Sequence, residues 1–265
     1  MTSLEAYLEE KTCLVDQYLN KVLPPDSDYP SSLHQAMRYS VFSGGKRFRP
    51  ILTLVAAEAS GGKLEDAIGT ASALELIHTY SLIHDDLPSL DNADERRGKA
   101  SCHKQFGEEI AILAGDALLT YAFEIMDLRV VKDIAKAIGT KGMVGGQVAD
   151  MEKGNKKMKV DDYEYLHAKK TGALIAVSAK AGAVIAGADQ DALEKIFSYG
   201  KLLGVAFQII DDIFDKEDYA VMLGSVKARE KSDNMIQQAK DEVKDFDEKA
   251  WMLDQLADYV VQRKL

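Results

Sequence analysis

Cysteine is almost missing from this chain, with two among 265 residues. Cys13 and Cys102 fit neither a Cys-x-x-Cys pair nor a zinc-ligand spacing, so they read as two reduced thiols in a reducing compartment. Basic charge is in the minority, 33 Lys and Arg against 43 Asp and Glu, for a net charge of −10. Nucleic acid and anionic membranes are bound by neutralising their phosphates, which argues against either as a general partner. The first residues lack an apolar core and carry Glu5, Glu9, Glu10 and Asp16, which rules out an ordinary secretory signal. Long hydrophobic runs are lacking too. The least polar stretch, Gly172 to Ala188, is broken by Lys180 and falls short of the ~20 residues of a membrane span. It reads as a closely packed core helix, and a cytoplasmic protein without a transmembrane segment is expected. No Gly-x-Ser-x-Gly elbow and no Gly-x-Gly-x-x-Gly after a strand is present, so serine-nucleophile and dinucleotide-fold chemistry find no support.

Proline is confined to positions 24, 25, 30, 50 and 88, so from Ser89 onward nothing fixes φ or removes a backbone donor. Apolar residues recur at helical spacing, as in Leu33, Met37 and Val41, in Leu74 and Ile77, and in Leu202, Val205, Ile209 and Ile213. Sustained alternation at period two is absent. Ser31 precedes the first of these stripes, Gly44-Gly45 follows it, Pro50 opens the next helix and Gly61-Gly62 closes that one. The expectation is an all-α fold, a single domain over 1–265, with a last helix from about Val226 to Val261 broken near Phe246. A chain of this length buries roughly three quarters of its unfolded surface and needs no structural metal.

Two acidic groups stand out. His84-Asp85-Asp86-Leu87-Pro88-Ser89-Leu90-Asp91 follows an apolar helix, placing carboxylates where the helix dipole is already negative. Pro88 stops the helix, so Asp91 lies on a loop that can fold back towards Asp85. In the second group, Gln208, Asp211, Asp212 and Asp215 at i, i+3, i+4 and i+7 form one polar strip on an otherwise apolar helix. Carboxylates this close repel one another, and oxygen-only clusters suit Mg²⁺, which completes its shell with water and phosphate oxygens. Positive charge is supplied by Gly44-Gly45-Lys46-Arg47-Phe48-Arg49-Pro50 at a helix start, by Arg96-Arg97 after the acidic loop, and by Lys169-Lys170-Thr171-Gly172. Basic groups paired with two such clusters suggest two phosphorylated groups in one cavity, with His78 as a further phosphate donor. A rival pattern, Glu-x-x-His at Glu75/His78 and Glu164/His167, is that of di-iron bundles, but it leaves Asp85, Asp91, Asp211, Lys46 and Arg49 without a role.

Gly44-Gly45-Lys46-Arg47-Phe48-Arg49-Pro50, Leu82 to Pro88 with Asp91 and Arg96-Arg97-Gly98, Gly145-Gly146-Gln147, Lys170-Thr171-Gly172 and Phe207 to Asp212 together resemble the polyprenyl (isoprenoid) diphosphate synthase family. The Asp-Asp-x-x-x-x-Asp spacing is similar to that of bacterial short-chain farnesyl diphosphate synthases, with plant-type geranylgeranyl synthases next. The resemblance implies a helical bundle in which the two acidic motifs face a central cavity, in a homodimer. It implies Mg²⁺ on Asp85, Asp91, Asp211 and Asp215, with Asp86 in support, and Lys170 among the catalytic groups. Lys46, Arg49, His78 and Arg97 would hold isopentenyl diphosphate, while Arg96, Lys170, Thr171 and Gln208 would hold an allylic diphosphate. The implied reaction is condensation of the two with release of diphosphate. Tyr80 and Ser81, one turn before Asp85, would set product length, Tyr80 stopping growth near C15. A class I terpene cyclase shares the acidic motifs but has no need of Lys46 and Arg49, and a non-catalytic regulatory subunit would be expected to lose motifs that are kept here.

The chain departs from the family pattern at three points. Ala93 stands where another Asp is frequent. The Gly-Lys-x-x-Gly-x-Asp segment after the second acidic motif is missing, Asp215 running into Lys216-Glu217-Asp218-Tyr219, and the stretch from Met126 to Arg129 is short. Because those four residues resemble the far end of the missing segment, the expectation is a chain break between Asp215 and Lys216 and another near 126–129, rather than true deletions.

Overall fold

The helical period of the apolar residues is realised almost throughout. The computed structural model describes residues 3–154, 159–216 and 218–262, and within them the chain forms fourteen α-helices, one π-helical turn, one 3-10 turn and one short hairpin. The backbone contacts divide it into two compact units, Met1–Ile51 with Ile68–Asp127, and Leu52–Ala67 with Leu128–Leu265. The division falls inside helices α3 (Phe48–Ala59) and α4 (Leu64–Asp85).

The first unit holds α1 (Leu4–Val22), α2 (Ser31–Val41), the hairpin β1 (Glu95–Arg96) and β2 (Lys99–Ala100), α5 (Cys102–Phe106) and α6 (Glu108–Ile125). α4 is buried on every side through its middle. Ala71, Ala73, Leu74, Leu76 and Ile77 have no exposed surface, the mark of a helix buried around its circumference. Each buried Leu or Ile contributes about 1.5–3 kcal/mol over exposure. The punctuation read from the sequence holds to within a residue or two: Pro30, rather than Ser31, occupies the N-cap of α2, and Pro50 lies in the first turn of α3.

The second unit holds α7 (Val131–Ile138), α8 (Met143–Lys153), α9 (Val160–His167), the π turn (Ala168–Gly172), α10 (Ala173–Ile185), α11 (Gln190–Asp215), α12 (Asp218–Leu223), α13 (Ser225–Val243), a 3-10 turn (Lys244–Ala250) and α14 (Trp251–Gln262). α10 is the expected core helix, with Leu174 to Ala179 all buried. It packs closely on α11 because small residues face one another; a Cβ on Gly200 would stand 2.9 Å from the Ala176 Cα. The break expected near Phe246 is the 3-10 turn. No helix among the described residues is long and apolar enough to cross a membrane.

The expected chain breaks are not present. Met126 donates its N–H to the Ala122 carbonyl and Asp127 its N–H to Thr70 Oγ1, while Lys216, in the left-handed region, donates to Asp212 O and closes α11. The backbone is continuous at both positions. Glu217, in the second of them, lies outside the described residues.

Candidate active site

The residues picked out from the sequence fall into a group in each unit. In the first, α4 ends at Asp85, and the loop beyond Pro88 turns back on it as the proline implied: the N–H of Asp91 donates to the Asp85 carbonyl at 2.9 Å and that of Ala93 to Asp86 O at 3.2 Å. Asp85 is half-buried and Asp91 exposed. Asp86 points inward, 2% exposed, and accepts from Arg96 Nε at 3.1 and 3.2 Å as well as from Nη2. That hydrogen bond, against the penalty of burial, raises the Arg96 pKa. Arg96 is therefore held by the acidic loop itself. It sits on β1, and Arg97-Gly98 form the hairpin turn with φ of 55° and 73°, the doubly left-handed form that suits a two-residue hairpin. This hairpin escaped the sequence reading, since strands of two residues show no alternation.

Arg97 reaches back from the turn, its Nη1 donating to Gly44 O. Its guanidinium lies against Gly45, whose φ of 121° is a conformation that side chains rarely adopt and that favours glycine. Arg47 is 3% exposed with φ of 47°, and it donates from Nε to Asp16 at 2.8 Å, from Nη1 to Glu75 at 2.8 Å and from Nη2 to Val41 O at 2.7 Å. Burial opposes its charge, but Glu75 and then Asp16 outweigh it and leave the pKa above the usual arginine value. With Arg47 turned inward, Lys46 is left exposed and Arg49 half-buried on the loop and the start of α3. His78 registers the result: burial, and then the charges of Arg49, Arg97, Arg96 and Arg47, hold its imidazole well below the ordinary histidine value.

In the second unit the π turn carries Lys170 and Thr171. Lys170 Nζ pairs with Asp150 at 2.7 Å, and Thr171 Oγ1 donates to Gln208 Oε1 at 2.8 Å. Gln208 Nε2 in turn donates to Asp212 Oδ1 at 3.2 Å. A Cβ on Gly146 of α8 would lie 2.7 Å from the Lys170 Cα, which explains a glycine beside this turn. The acidic strip on α11 splits by function. Asp212 is 7% exposed, accepts the Tyr219 N–H at 3.2 Å and stands 3.2 Å from His167 Nε2, tying α12 and α9 to α11. Asp211 is half-buried and Asp215 exposed, one helical turn apart. Asp16, Asp150 and Tyr219 are members that sequence reasoning did not place in the site, and Glu75 and His167, noted there only as parts of the di-iron pattern, serve instead as partners of Arg47 and Asp212, each joined by the fold.

Mg²⁺ asks one or two carboxylates of a protein and takes its other oxygens from water and phosphate. No three His, Cys, Asp or Glu groups among the described residues form a metal cage. Asp86 is bonded to Arg96, and Asp212 to Tyr219 and His167, so these two carboxylates are the members of the acidic motifs least available to such an ion. The di-iron pattern fits poorly: Glu75 faces Arg47, and Glu164 accepts from Tyr219 Oη at 2.9 Å and pairs with Lys231 at 3.0 Å.

Residues 30–240 match the family model described as polyprenyl synthetase. The chain is 43% identical over 244 residues to farnesyl diphosphate synthase of Geobacillus stearothermophilus, covering 88% of this chain and 82% of that one. It is 39% identical over 292 residues to geranylgeranyl diphosphate synthase of Cyanophora paradoxa, covering 98% and 97%. The crystal structure of an FPP/GFPP synthase from Zymomonas mobilis superposes with a TM-score of 0.93 at 35% identity, over 97% of this chain and 98% of that one. The helical bundle, the ordered motifs and these matches agree: the chain belongs to the polyprenyl synthetase family of prenyltransferases.

Proposed function

We propose that residues 1–265 act as one Mg²⁺-dependent short-chain prenyltransferase domain, condensing isopentenyl diphosphate with dimethylallyl or geranyl diphosphate to farnesyl diphosphate. The observation that carries this reading is the fold-back of the acidic loop, with the Asp91 N–H on the Asp85 carbonyl at 2.9 Å, followed directly by Arg96 and Arg97 on the hairpin, acidic and basic groups set together as a metal-bound diphosphate requires. Lys46, Arg49, His78 and Arg97 hold isopentenyl diphosphate. Arg96, Lys170, Thr171 and Gln208 hold the allylic diphosphate, and Asp85, Asp91, Asp211 and Asp215 hold the metal. When bound, Mg²⁺ stabilises negative charge on the departing diphosphate. The allylic C–O bond breaks, the double bond of isopentenyl diphosphate attacks the cation, and a proton leaves for the released diphosphate. The apolar helices around the carboxylates keep water from the cation. The protein is expected in the cytoplasm as a homodimer, for which Ile112 and Leu113 on α6, 43% and 54% exposed, offer an apolar face.

The test is incubation with isopentenyl diphosphate, each of dimethylallyl, geranyl and farnesyl diphosphate, and Mg²⁺, following diphosphate release and weighing the product. A C15 product that is lost with EDTA supports the reading. A second reading, a non-catalytic regulatory subunit, is favoured by one feature, the closure of α11 by Lys216 with a two-residue link to α12. No turnover by the intact protein would select it.

Tyr80 bears on chain length. It is 7% exposed, lies edge-on to His84 with ring centroids 5.7 Å apart, and its hydroxyl is held protonated by burial and by Asp85. Tyr80→Ala is expected to shift the main product from C15 to C20 or longer, read by mass spectrometry. An unchanged C15 product would remove Tyr80 from this role.

His78 gives a pH signature. Its pKa is depressed in the free protein, so it is neutral near pH 6.5, and a bound diphosphate that offsets the arginines must raise that pKa. Binding then takes up a proton and strengthens as pH falls. Calorimetry of isopentenyl diphosphate binding at pH 6.5 in buffers of different ionisation enthalpy should show this uptake, and His78→Gln should abolish it.

A further inference from the structure

The second unit contains a cavity of about 300 Å³ that none of the groups above lines. It lies between α7, the connection that leads into α8, α10 and α11, and borders the π turn: Lys169 and Gly172 line it, whereas Lys170 and Thr171 are bonded to Asp150 and Gln208. Its floor is apolar, made by Ala173, Ala176, Val177, Phe197 and Val205. Five lysines, Lys136, Lys141, Lys169, Lys180 and Lys201, line it with one carboxylate, Asp133. Chance does not readily put that excess of positive charge on a chain of net charge −10.

Asp133 is bonded to Lys180. Lys136, Lys141, Lys169 and Lys201 make no ion pair among the described residues, the ammonium of Lys169 lying 5.4 Å from the centroid of the Tyr165 ring, so the one carboxylate of the lining is used by one of its five lysines. Lys180 and Lys201 also crowd the same ring, their ammonium groups 5.5 and 5.1 Å from the centroid of Phe197. Like charges gathered over an apolar floor are relieved by an anion, and a lysine can lay its methylene stem on that floor while its head faces the anion. The volume is at the small end of the ~300–1,000 Å³ of ligand sites.

We propose that this cavity is a binding site for a phosphate ester of a short apolar alcohol, the phosphate held by the lysine rim and the chain lying against Phe197, Val177 and Val205. The proposal does not depend on the transferase reading, because binding is read directly. Geranyl monophosphate is the probe, titrated calorimetrically into the full chain without divalent ions, with inorganic phosphate and geraniol as separate controls. The expected result is a saturable binding event that weakens on the order of 10-fold or more in Lys136→Glu/Lys201→Glu. It should be retained in Lys136→Arg/Lys201→Arg and in Asp85→Asn/Asp211→Asn, and be matched by neither control. Lys136 and Lys201 are exposed, and an unchanged melting temperature shows that the charge-reversed protein folds. A second variant, Ala173→Leu, fills the floor without touching charge and should weaken the same event. No binding event, an event untouched by the lysine and Ala173 variants, or equal binding of inorganic phosphate overturns the proposal. Binding that persists in a protein with no transferase turnover would leave this site standing and the proposed activity refuted.

Discussion

Asp85→Ala is expected to lower kcat by on the order of 10²–10³-fold, the usual loss when one group that stabilises transition-state charge is removed. The melting temperature should hardly move. Asp85 is half-buried beside Asp91, so its removal relieves the repulsion between the two carboxylates. The KM for isopentenyl diphosphate should stay within about threefold, since a group that acts only in the transition state leaves ground-state binding alone. Asp211→Ala should behave alike. Asp86→Ala makes the contrast, because it leaves the Arg96 guanidinium without its side-on partner and should lower both stability and affinity for the allylic substrate. Steady-state kinetics and thermal melts of the three variants separate these patterns. An Asp85→Ala protein within tenfold of the parent would show that this loop does not ionise the substrate.

Arg47→Ala carries the largest expected loss of stability, about 3–5 kcal/mol by the usual penalty for breaking a buried ion pair from one side. Both side chains of the Arg47–Glu75 pair are 2% exposed, so little solvent screening moderates the effect. Against a total of roughly 5–15 kcal/mol for a domain, the variant would be partly unfolded in mild urea. The carboxylate left behind causes most of the damage, so Arg47→Leu/Glu75→Leu should recover much of the stability. Recovered stability need not mean recovered binding: without the guanidinium bonds to Val41 O and Glu75, the loop presenting Lys46 and Arg49 loses its anchor. Urea midpoints and the KM for isopentenyl diphosphate measure the two consequences separately. A single variant as stable as the parent would refute the account of this pair.

What could be read in the sequence had a local cause. Apolar residues three and four apart give the helices, and Pro88 alone sends Asp91 back towards Asp85, as the hydrogen bond between their backbones shows. The all-α class, the buried α10 and the break around Phe246 were legible for the same reason. Pairings across tens of residues were not. Nothing within a helical turn of Glu75 marks Arg47 as its partner, and nothing near Lys170 marks Asp150. The polar strip on α11 looked uniform because spacing gives direction and not burial; only Tyr219 and His167 make Asp212 differ from Asp211. The supposed breaks came from likeness at Lys216 to Tyr219. The left-handed conformation of Lys216, which closes the helix without a longer loop, has no signature in a lysine.

The π turn at Ala168–Gly172 has a consequence for how this segment tolerates change. Each α-helical residue advances the phase by about 100°, and a widened turn holds one residue more than the regular repeat requires. Deleting a single residue there would let α9 and α10 join as one uninterrupted helix, but every side chain of α9 would then be rotated by about 100° against α10. His167 would leave Asp212, and Tyr163 would leave the cluster of Ile209, Tyr219 and Ala228. Substitutions within the turn alter one side chain each, whereas a change of length re-phases a whole helix.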